Sequence, residues 1–301
     1  MTDYYDQLET RDPDEREQDL INQVATQVTH AKSSAPAYSR ILAETEVSEI
    51  DSTAAISRIP LTRKSELLTL QRKDPPFGGF TSVTGPDLAY IFASPGPIYE
   101  PGTKRPDFWR FSRALFAAGF RQGDILQNCF SYHLTPAGAM VDSGAHALGC
   151  SVIPAGVGQT ELQVQTIADL KPNGYVGTPS FLKIILEKAD EMGADVTSIT
   201  KALVSGEALP PPLREGFSAR GIDVYQCYAT ADLGVIAYET EAREGLVIDE
   251  GIYLEIVRPG TGETVADGEV GEIVVTNLNP DYPLIRFATG DLSTILSDSS
   301  P

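Results

Sequence analysis

The order of apolar and polar positions predicts strands and helices that alternate over much of the chain. Short apolar runs such as DILQNCF and KALVSGE are followed by segments with helical apolar spacing, such as TPSFLKIILEKADEMG. Alternation at these lengths is typical of βαβ units, in which helices cover a sheet of mostly parallel strands. We therefore predict an α/β fold with parallel-rich sheets covered by helices.

The pattern changes near residue 236, where strands and turns replace helices. The segment YLEIVRPGTGETVADGEVGEIVVTN contains two strand-like runs, and its Asp267–Gly268 pair is a strong hairpin signal. We predict α/β subdomains over residues 1–235 and a β-rich subdomain over residues 236–301.

Helix start signals are found at two other places. Thr62 is a predicted N-cap for the helix in KSELLTLQ, with Glu66 lower in its first turn. Thr178 is a predicted N-cap followed by Pro179 at the first helical position. A polar amphipathic helix is predicted over residues 13–31.

The charge balance narrows the classes of partner. There are 42 acidic and 23 basic side chains, a formal net charge of -19. This balance argues against nucleic acid and anionic membrane surfaces, which are bound through Lys and Arg. The acidic start of the chain is unlike a signal peptide, and no apolar run is long enough to span a membrane. We expect a cytoplasmic protein.

The thiols and imidazoles give no pattern typical of metal binding. Cys129, Cys150 and Cys227 lie far apart in apolar surroundings, which predicts buried free thiols. With three histidines and no Cys or His pair at ligand spacing, we expect no structural zinc.

Four segments, in order, carry a resemblance to a known family. They are LGCSVIPAGVGQTELQVQTIADLKPNGYVGTPSFL, ALVSGEALPPPLRE, YATAD and PLIRFATGDL. Together they resemble the phenylacetate-CoA ligase branch of the adenylate-forming acyl-CoA synthetases. The resemblance implies that a carboxylate attacks the α-phosphate of ATP to give an acyl-AMP, and that the thiol of CoA then displaces AMP.

The same resemblance implies substrates and partners. ATP or AMP, Mg²⁺, CoA and an aryl or other compact carboxylic acid are expected, and a homodimer is expected from the family. A mobile C-terminal domain carrying a catalytic lysine is expected in the family and is absent from these 301 residues, so we expect the chain to stop near the hinge.

Nucleotide contacts are assigned through the resemblance. An ionised Asp291 accepts two hydrogen bonds from a ribose diol in this assignment, and the alternative is a solvated turn aspartate after Gly290. Tyr228 offers a flat face to adenine, or is a core tyrosine. Glu207 reads the nucleotide or lies near a helix N-terminus. The expected nucleotide-binding residues are Ser205, Gly206, Glu207, Tyr228, Ala229, Arg286 and Asp291.

The YATAD segment departs from the family at two positions. Ala231 replaces a threonine whose hydroxyl meets phosphate, so one phosphate contact is lost. Asp232 replaces a glutamate that holds magnesium. Aspartate still suits Mg²⁺, a cation that prefers oxygen ligands, but it is one methylene shorter.

The largest departure is in the expected phosphate loop, which consists of Ser94, Pro95, Gly96, Pro97, Ile98, Tyr99 and Glu100. Each proline removes an N–H donor and fixes φ. Glu100 replaces a lysine, and a carboxylate about 6 Å from a phosphate charge costs roughly 3 kcal/mol at an effective dielectric near 20. We predict a rigid apolar loop that does not cradle a triphosphate. Alternatively, the prolines merely end a strand.

The acid pocket is expected in the segment FSYHLTPAGAM, and its residues are Tyr132, His133, Ala137 and Gly138. The small residues Ala137 and Gly138 are expected to leave room for an aromatic or other compact apolar acid. His133 is a candidate acid–base group, although a lone histidine is more often structural. Nothing nearby in sequence lowers the pKa of Cys227, so a nucleophilic role is weakly supported.

Three functions remain open from the sequence. The first is an ATP-dependent aryl- or acyl-CoA ligase of the phenylacetate type. The second is a non-adenylating relative that binds AMP, CoA or acyl-CoA as an acyl-transfer enzyme or sensor. The third is an inactive subunit that serves a partner protein.

Overall fold

The computed structural model describes residues 4–296 of the chain. These residues form two compact units. The discontinuous unit comprises residues 4–104 and 250–296, and the continuous unit comprises residues 105–249. Compactness does not fix the domains of the whole protein, so the boundary after residue 235 stays a prediction.

The helices and strands of the described residues are numbered in chain order. The α-helices are α1 (Pro13–Ser34), α2 (Pro36–Ile41), α3 (Thr53–Ile56), α4 (Lys64–Lys73), α5 (Phe111–Ala117), α6 (Ala137–Leu148), α7 (Thr160–Leu170), α8 (Pro179–Met192) and α9 (Pro211–Ser218). The strands are β1 (Thr62–Arg63), β2 (Leu88–Ser94), β3 (Ile98–Thr103), β4 (Ile125–Asn128), β5 (Ser151–Pro154), β6 (Gly174–Gly177), β7 (Lys201–Val204), β8 (Asp223–Thr230), β9 (Gly234–Tyr238), β10 (Val247–Ile248), β11 (Ile252–Val257), β12 (Gly271–Asn277) and β13 (Phe287–Ser293).

The continuous unit contains a seven-stranded sheet in the order β10-β9-β8-β7-β6-β4-β5. Strands β5, β4, β6, β7 and β8 are parallel to one another, and β9 and β10 continue the sheet in antiparallel pairing. Helices separate the parallel strands along the chain. This architecture confirms the α/β prediction.

Helix α8 shows how the apolar pattern builds the core of this unit. Leu182, Ile185, Leu186 and Ala189 recur at helical spacing and are all buried in one cluster with strand residues. Its N-cap is Thr178, whose hydroxyl accepts a hydrogen bond from the Phe181 N–H at 3.3 Å. The predicted cap and the helix that follows it are both confirmed.

The discontinuous unit contains a second sheet in the order β1-β13-β12-β11, in which β1 is parallel to β13. Here the predicted cap at Thr62 is wrong. Thr62 pairs with Phe287, is buried at 3% exposure, and places its hydroxyl 3.1 Å from that of Tyr38. Helix α4 therefore starts without a side-chain cap.

The turn at Asp267–Gly268 is present, but it does not close a tight hairpin. It lies inside a longer connection between β11 and β12, where the Glu269 N–H donates to the Ala266 carbonyl. Before that turn, Thr264 forms an isolated antiparallel bridge with Val257, at the end of β11.

Burial agrees with the expectations for the thiols. Cys129, Cys150 and Cys227 are free and buried. None of the helices formed by residues 4–296 is long and apolar enough to cross a membrane.

Candidate active site

In the continuous unit, several predicted site residues gather at the carboxyl edge of the parallel strands. Tyr132 follows β4, Ser205 and Gly206 follow β7, and Tyr228 lies on β8 beyond its parallel pairing. A Cβ atom built on Gly206 would lie 3.9 Å from the ring of Phe130, so the segments after β4 and β7 are neighbours. Ligands bind at this edge in open α/β sheets.

Ser205 and Glu207 have structural partners at this edge. The Ser205 hydroxyl is buried and donates to the Cys227 carbonyl at 2.7 Å, which ties β7 to β8. The exposed Glu207 accepts from the Ser180 N–H at 2.7 Å in the first turn of α8. Of the two sequence interpretations of Glu207, its side chain makes the contact expected of a residue at a helix N-terminus.

The Glu207 contact gives a small, pH-dependent stability prediction. The hydrogen bond from Ser180 lowers the pKa of Glu207. Because the pKa is lowered in the folded protein, the ionised carboxylate stabilises the fold at pH values above the pKa of the unfolded chain, about 4.3. This stabilisation disappears as the pH falls through the pKa of Glu207 in the folded protein. Glu207→Gln should cost about 0.5 kcal/mol at pH 7, a value reduced by exposure.

Denaturant unfolding at pH 7 and at an acidic pH below the lowered pKa of Glu207 measures this difference. Glu187→Gln, an exposed position later in α8 that pairs with Lys183, is the matched control and should show no comparable loss at pH 7. An equal cost of Glu207→Gln at both pH values would contradict the charge–helix explanation.

The YATAD segment forms the hairpin between β8 and β9. Tyr228 and Ala229 are half-buried and flank a register shift, where Tyr228 pairs with Ala237 and Ala229 with Val235. The Thr230 hydroxyl accepts from the Leu233 N–H at 3.2 Å and shapes the turn. The aromatic side chain at 228 is thus held on a strand at the ligand-binding edge.

Asp232, the predicted magnesium ligand, lies in the turn of this hairpin. Its side chain is buried at 3% exposure, and residues 4–296 contain no group of three or more His, Cys, Asp or Glu side chains suited to a metal. Mg²⁺ keeps several waters and needs an accessible oxygen. This burial is a poor fit, so magnesium binding by Asp232 stays a prediction and enters no step below.

The predicted acid-pocket loop is built around Tyr132, which is 38% exposed. A Cβ atom on Gly138 would lie 2.8 Å from the ring of Tyr132. The missing side chain at 138 therefore accommodates the tyrosine ring, which corrects the expectation that it leaves room for an acid. Ala137 is half-buried at the start of α6.

The candidate reactive groups in this unit differ in exposure. His133 is exposed, and its backbone N–H donates to the Ser131 hydroxyl at 3.1 Å. Burial raises the pKa of Cys227 to about 12, which keeps the thiol protonated at neutral pH and argues against a nucleophile. An acid–base role of His133 stays a prediction.

Two buried amides that sequence reasoning missed support this edge. Asn128 is fully buried and donates to the Gly138 carbonyl at 2.9 Å. Gln163 donates to the carbonyls of Gly156 and Gly158, each at 2.8 Å, and fixes the loop after β5. The position of Asn128, a polar residue at the end of an apolar strand, could have indicated its role in the sequence. No comparable pattern marks Gln163.

In the discontinuous unit, the expected phosphate loop is a β-hairpin. Only Pro95, Gly96 and Pro97 form the turn, because Ser94 pairs with Ile98 and Phe92 with Glu100. The interpretation of residues 98–100 as loop is therefore wrong. An antiparallel partner strand begins directly after the second proline.

Strand alternation explains the burial of Glu100. Phe92, Ser94, Ile98 and Glu100 share the buried face of the hairpin, with Glu100 at 1% exposure. The Ser94 hydroxyl donates to a Glu100 carboxylate oxygen. The Glu100 carboxylate, which by the family resemblance stands in place of a lysine, therefore engages the Ser94 hydroxyl of the expected phosphate loop.

The edge of β3 that faces away from β2 is held by a neighbouring helix. Tyr99 is exposed, its N–H donates to the side chain of Gln71 at 2.9 Å, and its carbonyl accepts from the same amide at 2.7 Å. Gln71 lies on α4 and is itself buried. The predicted rigidity of this segment therefore has a physical basis in paired backbone groups.

Asp291 and Arg286 lie on or next to β13 in the same unit. Asp291 is exposed, and its N–H donates to the Thr289 hydroxyl at 3.1 Å. Its carboxylate is on the surface, as a ribose ligand requires. Arg286 directly precedes the strand and is buried at 2% exposure.

The contacts of Arg286 contradict its predicted role in nucleotide binding. Its guanidinium forms a bidentate pair with Glu255 at 2.8 and 3.0 Å. It also donates to the carbonyls of Ser57, Ile59 and Gly262. All five N–H donors of a guanidinium are used, so none is left for a nucleotide.

Comparison with known proteins identifies the family. The model for "AMP-binding enzyme" matches residues 133–279. Phenylacetate-coenzyme A ligase of Aromatoleum evansii is 33% identical over 96% of this chain and 68% of the relative. The enzyme of that name from Pseudomonas putida is 31% identical over 97% of this chain and 69% of the relative. The chain belongs to the phenylacetate-CoA ligase family.

A solved member of the wider fold agrees with this family. A 2-hydroxyisobutyryl-CoA ligase, in an open conformation in complex with 2-HIB-AMP and CoA, aligns with a TM-score of 0.90 and 25% identity. The alignment covers 98% of this chain and 73% of that chain. The predicted resemblance to AMP-binding acyl-CoA synthetases is confirmed, and acyl-AMP and CoA are bound by that neighbour.

Proposed function

We propose that this chain activates a compact aryl carboxylic acid as an acyl-adenylate for transfer to CoA, in the manner of a phenylacetate-CoA ligase. The observation that carries the proposal is the alignment of two relatives of that name over 96% and 97% of the chain. Both compact units are included in these alignments, so the similarity is not confined to one of them.

The proposed reaction has two steps, formation of an acyl-adenylate and formation of a thioester. A carboxylate oxygen of the acid bonds to the α-phosphorus of ATP, and pyrophosphate leaves. The CoA sulfur then bonds to the acyl carbon, its proton is lost, and AMP leaves with the electron pair of the cleaved bond. The sum is acid, ATP and CoA giving acyl-CoA, AMP and pyrophosphate.

The proposed roles of the residues come from the family resemblance, and the chemistry of each side chain is compatible with its role. The exposed Asp291 accepts hydrogen bonds from the ribose diol, since charge-assisted bonds to a carboxylate are strong. Tyr228 offers its ring face to adenine, beside the backbone of Ala229 and Gly206. Tyr132 forms a wall of the acid pocket. The predicted Mg²⁺, cytoplasmic location and homodimer remain predictions.

The hairpin favours a second candidate function. Its turn contains two prolines, which lack N–H donors, and the Ser94 hydroxyl next to the turn donates to Glu100. A loop of this kind offers few donors to the β- and γ-phosphates. The second candidate is therefore a non-adenylating relative that binds AMP, CoA or acyl-CoA without using ATP.

Calorimetric titration of the chain with AMP and with Mg-ATP tests both candidates. AMP should bind, and Asp291→Ala should weaken AMP binding by about 10- to 100-fold, the range for losing hydrogen bonds to a charged group. Asp267→Ala, at an exposed aspartate elsewhere in the same unit, is the matched control and should leave AMP affinity unchanged.

The remaining outcomes separate the candidates. Comparable binding of AMP and Mg-ATP supports the ligase, provided that a mixture of phenylacetate, Mg-ATP and CoA with the protein also produces AMP. Tight AMP with Mg-ATP at least about tenfold weaker and no thioester supports the second candidate, because the hairpin then rejects the terminal phosphates. Binding of neither nucleotide rejects both.

A further inference from the structure

The hydroxyl of Tyr132 is fully engaged by two side chains. It donates to a carboxylate oxygen of Asp142 on α6 at 2.7 Å. It accepts from the Asn128 amide at 2.8 Å. Burial and the neighbouring carboxylate of Asp142 raise the pKa of the Tyr132 phenol above its ordinary value, so the hydroxyl keeps its proton. A phenol has one proton to donate, and here Asp142 receives it.

The ring is confined as well as the hydroxyl. One side of the ring packs against Gly138, where an added Cβ would lie 2.8 Å from a ring atom, and a Cβ added at Gly156 would lie 3.7 Å from an atom on the other side of the ring. Although 38% of Tyr132 is exposed, its ring therefore has little space in which to rotate. The exposed part is a fixed aromatic surface at the carboxyl edge of the sheet.

Asn128 links the Tyr132 side chain to the backbone of the segment around it through hydrogen bonds. Its amide nitrogen also lies 2.9 Å from the Gly138 carbonyl and 3.0 Å from Asp142, and its carbonyl oxygen accepts from the Phe130 N–H at 3.1 Å. Because Asn128 ends β4 and is fully buried, the sheet itself sets the position of the ring.

We infer that Asn128 and Asp142 are positioning residues that hold Tyr132 as a rigid wall, and that this wall sets the upper size of the carboxylic acid that the site accepts. The inference rests on the proposed acid-binding function. Since the single phenol proton is given to Asp142, Tyr132 recognises the acid through its ring and does not donate to the carboxylate. A pre-ordered wall loses no side-chain freedom when a fitting acid binds.

A larger acid has to displace the ring and break both hydroxyl contacts. The test compares binding of phenylacetate with binding of the bulkier 1-naphthylacetate to the full chain by calorimetry. Tyr132→Phe keeps the ring and removes the anchor, so the affinity ratio should move toward 1-naphthylacetate by about tenfold. Asp142→Ala removes one of the two hydroxyl contacts and should move the affinity ratio toward 1-naphthylacetate by about threefold.

Two further variants provide controls. Asp142→Asn keeps an acceptor oxygen for the phenol and should restore the wild-type ratio. Asn173→Ala removes an amide that binds Asp124 at 2.6 Å before β6, away from the carboxyl edge of this sheet, and should leave the ratio unchanged. Melting temperatures of all variants verify that each is folded.

Each outcome has a definite meaning. A shifted ratio in Tyr132→Phe and Asp142→Ala, with rescue by Asp142→Asn, supports the inference. Wild-type selectivity in a folded Tyr132→Phe variant overturns it while leaving the proposed function intact. Failure of the wild-type chain and every variant to bind either acid rejects the proposed function, and the size limit with it.

Discussion

Arg286→Met should lower the free energy of unfolding by about 3 to 5 kcal/mol, the range for breaking a buried ion pair by removing one partner. The substitution leaves Glu255, at 6% exposure, without its guanidinium, and removes the donors to the carbonyls of Ser57, Ile59 and Gly262. The effect is large because an unpaired charge cannot recover its water in this position.

The pH dependence of this loss has a definite sign. Burial raises the pKa of Glu255, and the Arg286 charge opposes that rise. Without the arginine the pKa rises further, so the folded variant is stabilised as pH falls and the carboxyl group takes up its proton. The loss caused by Arg286→Met should therefore be greatest at neutral pH and shrink toward acidic pH.

Denaturant unfolding measures the loss, with Arg258→Met as the matched control. Arg258 lies in the same unit with a side chain that is 58% exposed and ion pairs of 3.7 and 4.0 Å, so its substitution should change stability by at most about 0.5 kcal/mol. The double variant Arg286→Met with Glu255→Leu should recover most of the loss. Equal effects at 286 and 258 would contradict a buried structural role.

Gly234→Ala should destabilise the continuous unit by at least about 3 kcal/mol, because a side chain there meets rigid backbone. The added Cβ would lie 2.5 Å from the Trp109 carbonyl oxygen, and φ at Gly234 is +78°. The Trp109 carbonyl also accepts from the Val235 N–H at 2.9 Å, so it cannot move aside without losing that bond.

Gly221→Ala separates the two causes of this cost. Gly221 has φ of +77° and no atom within 4 Å of an added Cβ, so it should show only the backbone cost of about 1 to 2 kcal/mol. Chemical denaturation measures the loss of unfolding free energy in each variant. The difference between the two losses is the cost of the steric clash with Trp109. Similar losses in both would mean that Trp109 yields, contrary to the expectation.

The parallel sheet could be predicted from the sequence, because the spacing of apolar residues in a strand or a helix indicates which residues are buried. The Thr178 cap could also be predicted, because it depends on neighbouring residues alone. The prediction was wrong at Thr62, where pairing with the distant Phe287 outweighs the local cap signal. Tertiary pairing of this kind has no local pattern.

The errors in the candidate site have the same origin. A motif gives the position of Arg286 but not its five acceptor atoms, which come from segments far apart in the chain. The charge of Glu100 was evident, but its burial depends on strand pairing with Phe92, which the prolines concealed. Gly138 was expected to leave room for an acid, but the Tyr132 ring occupies that space, and its position depends on contacts with Asn128 and Asp142.

The pairing of β1 with β13 has a consequence for synthesis on the ribosome. Thr62 emerges early, but its partner Phe287 is translated only after all residues of the continuous unit. Domains generally fold as units during translation, N-terminal first. Here the continuous unit can complete its sheet before β1 has a strand to pair with, so the sheet of the discontinuous unit stays incomplete until the last strands are made.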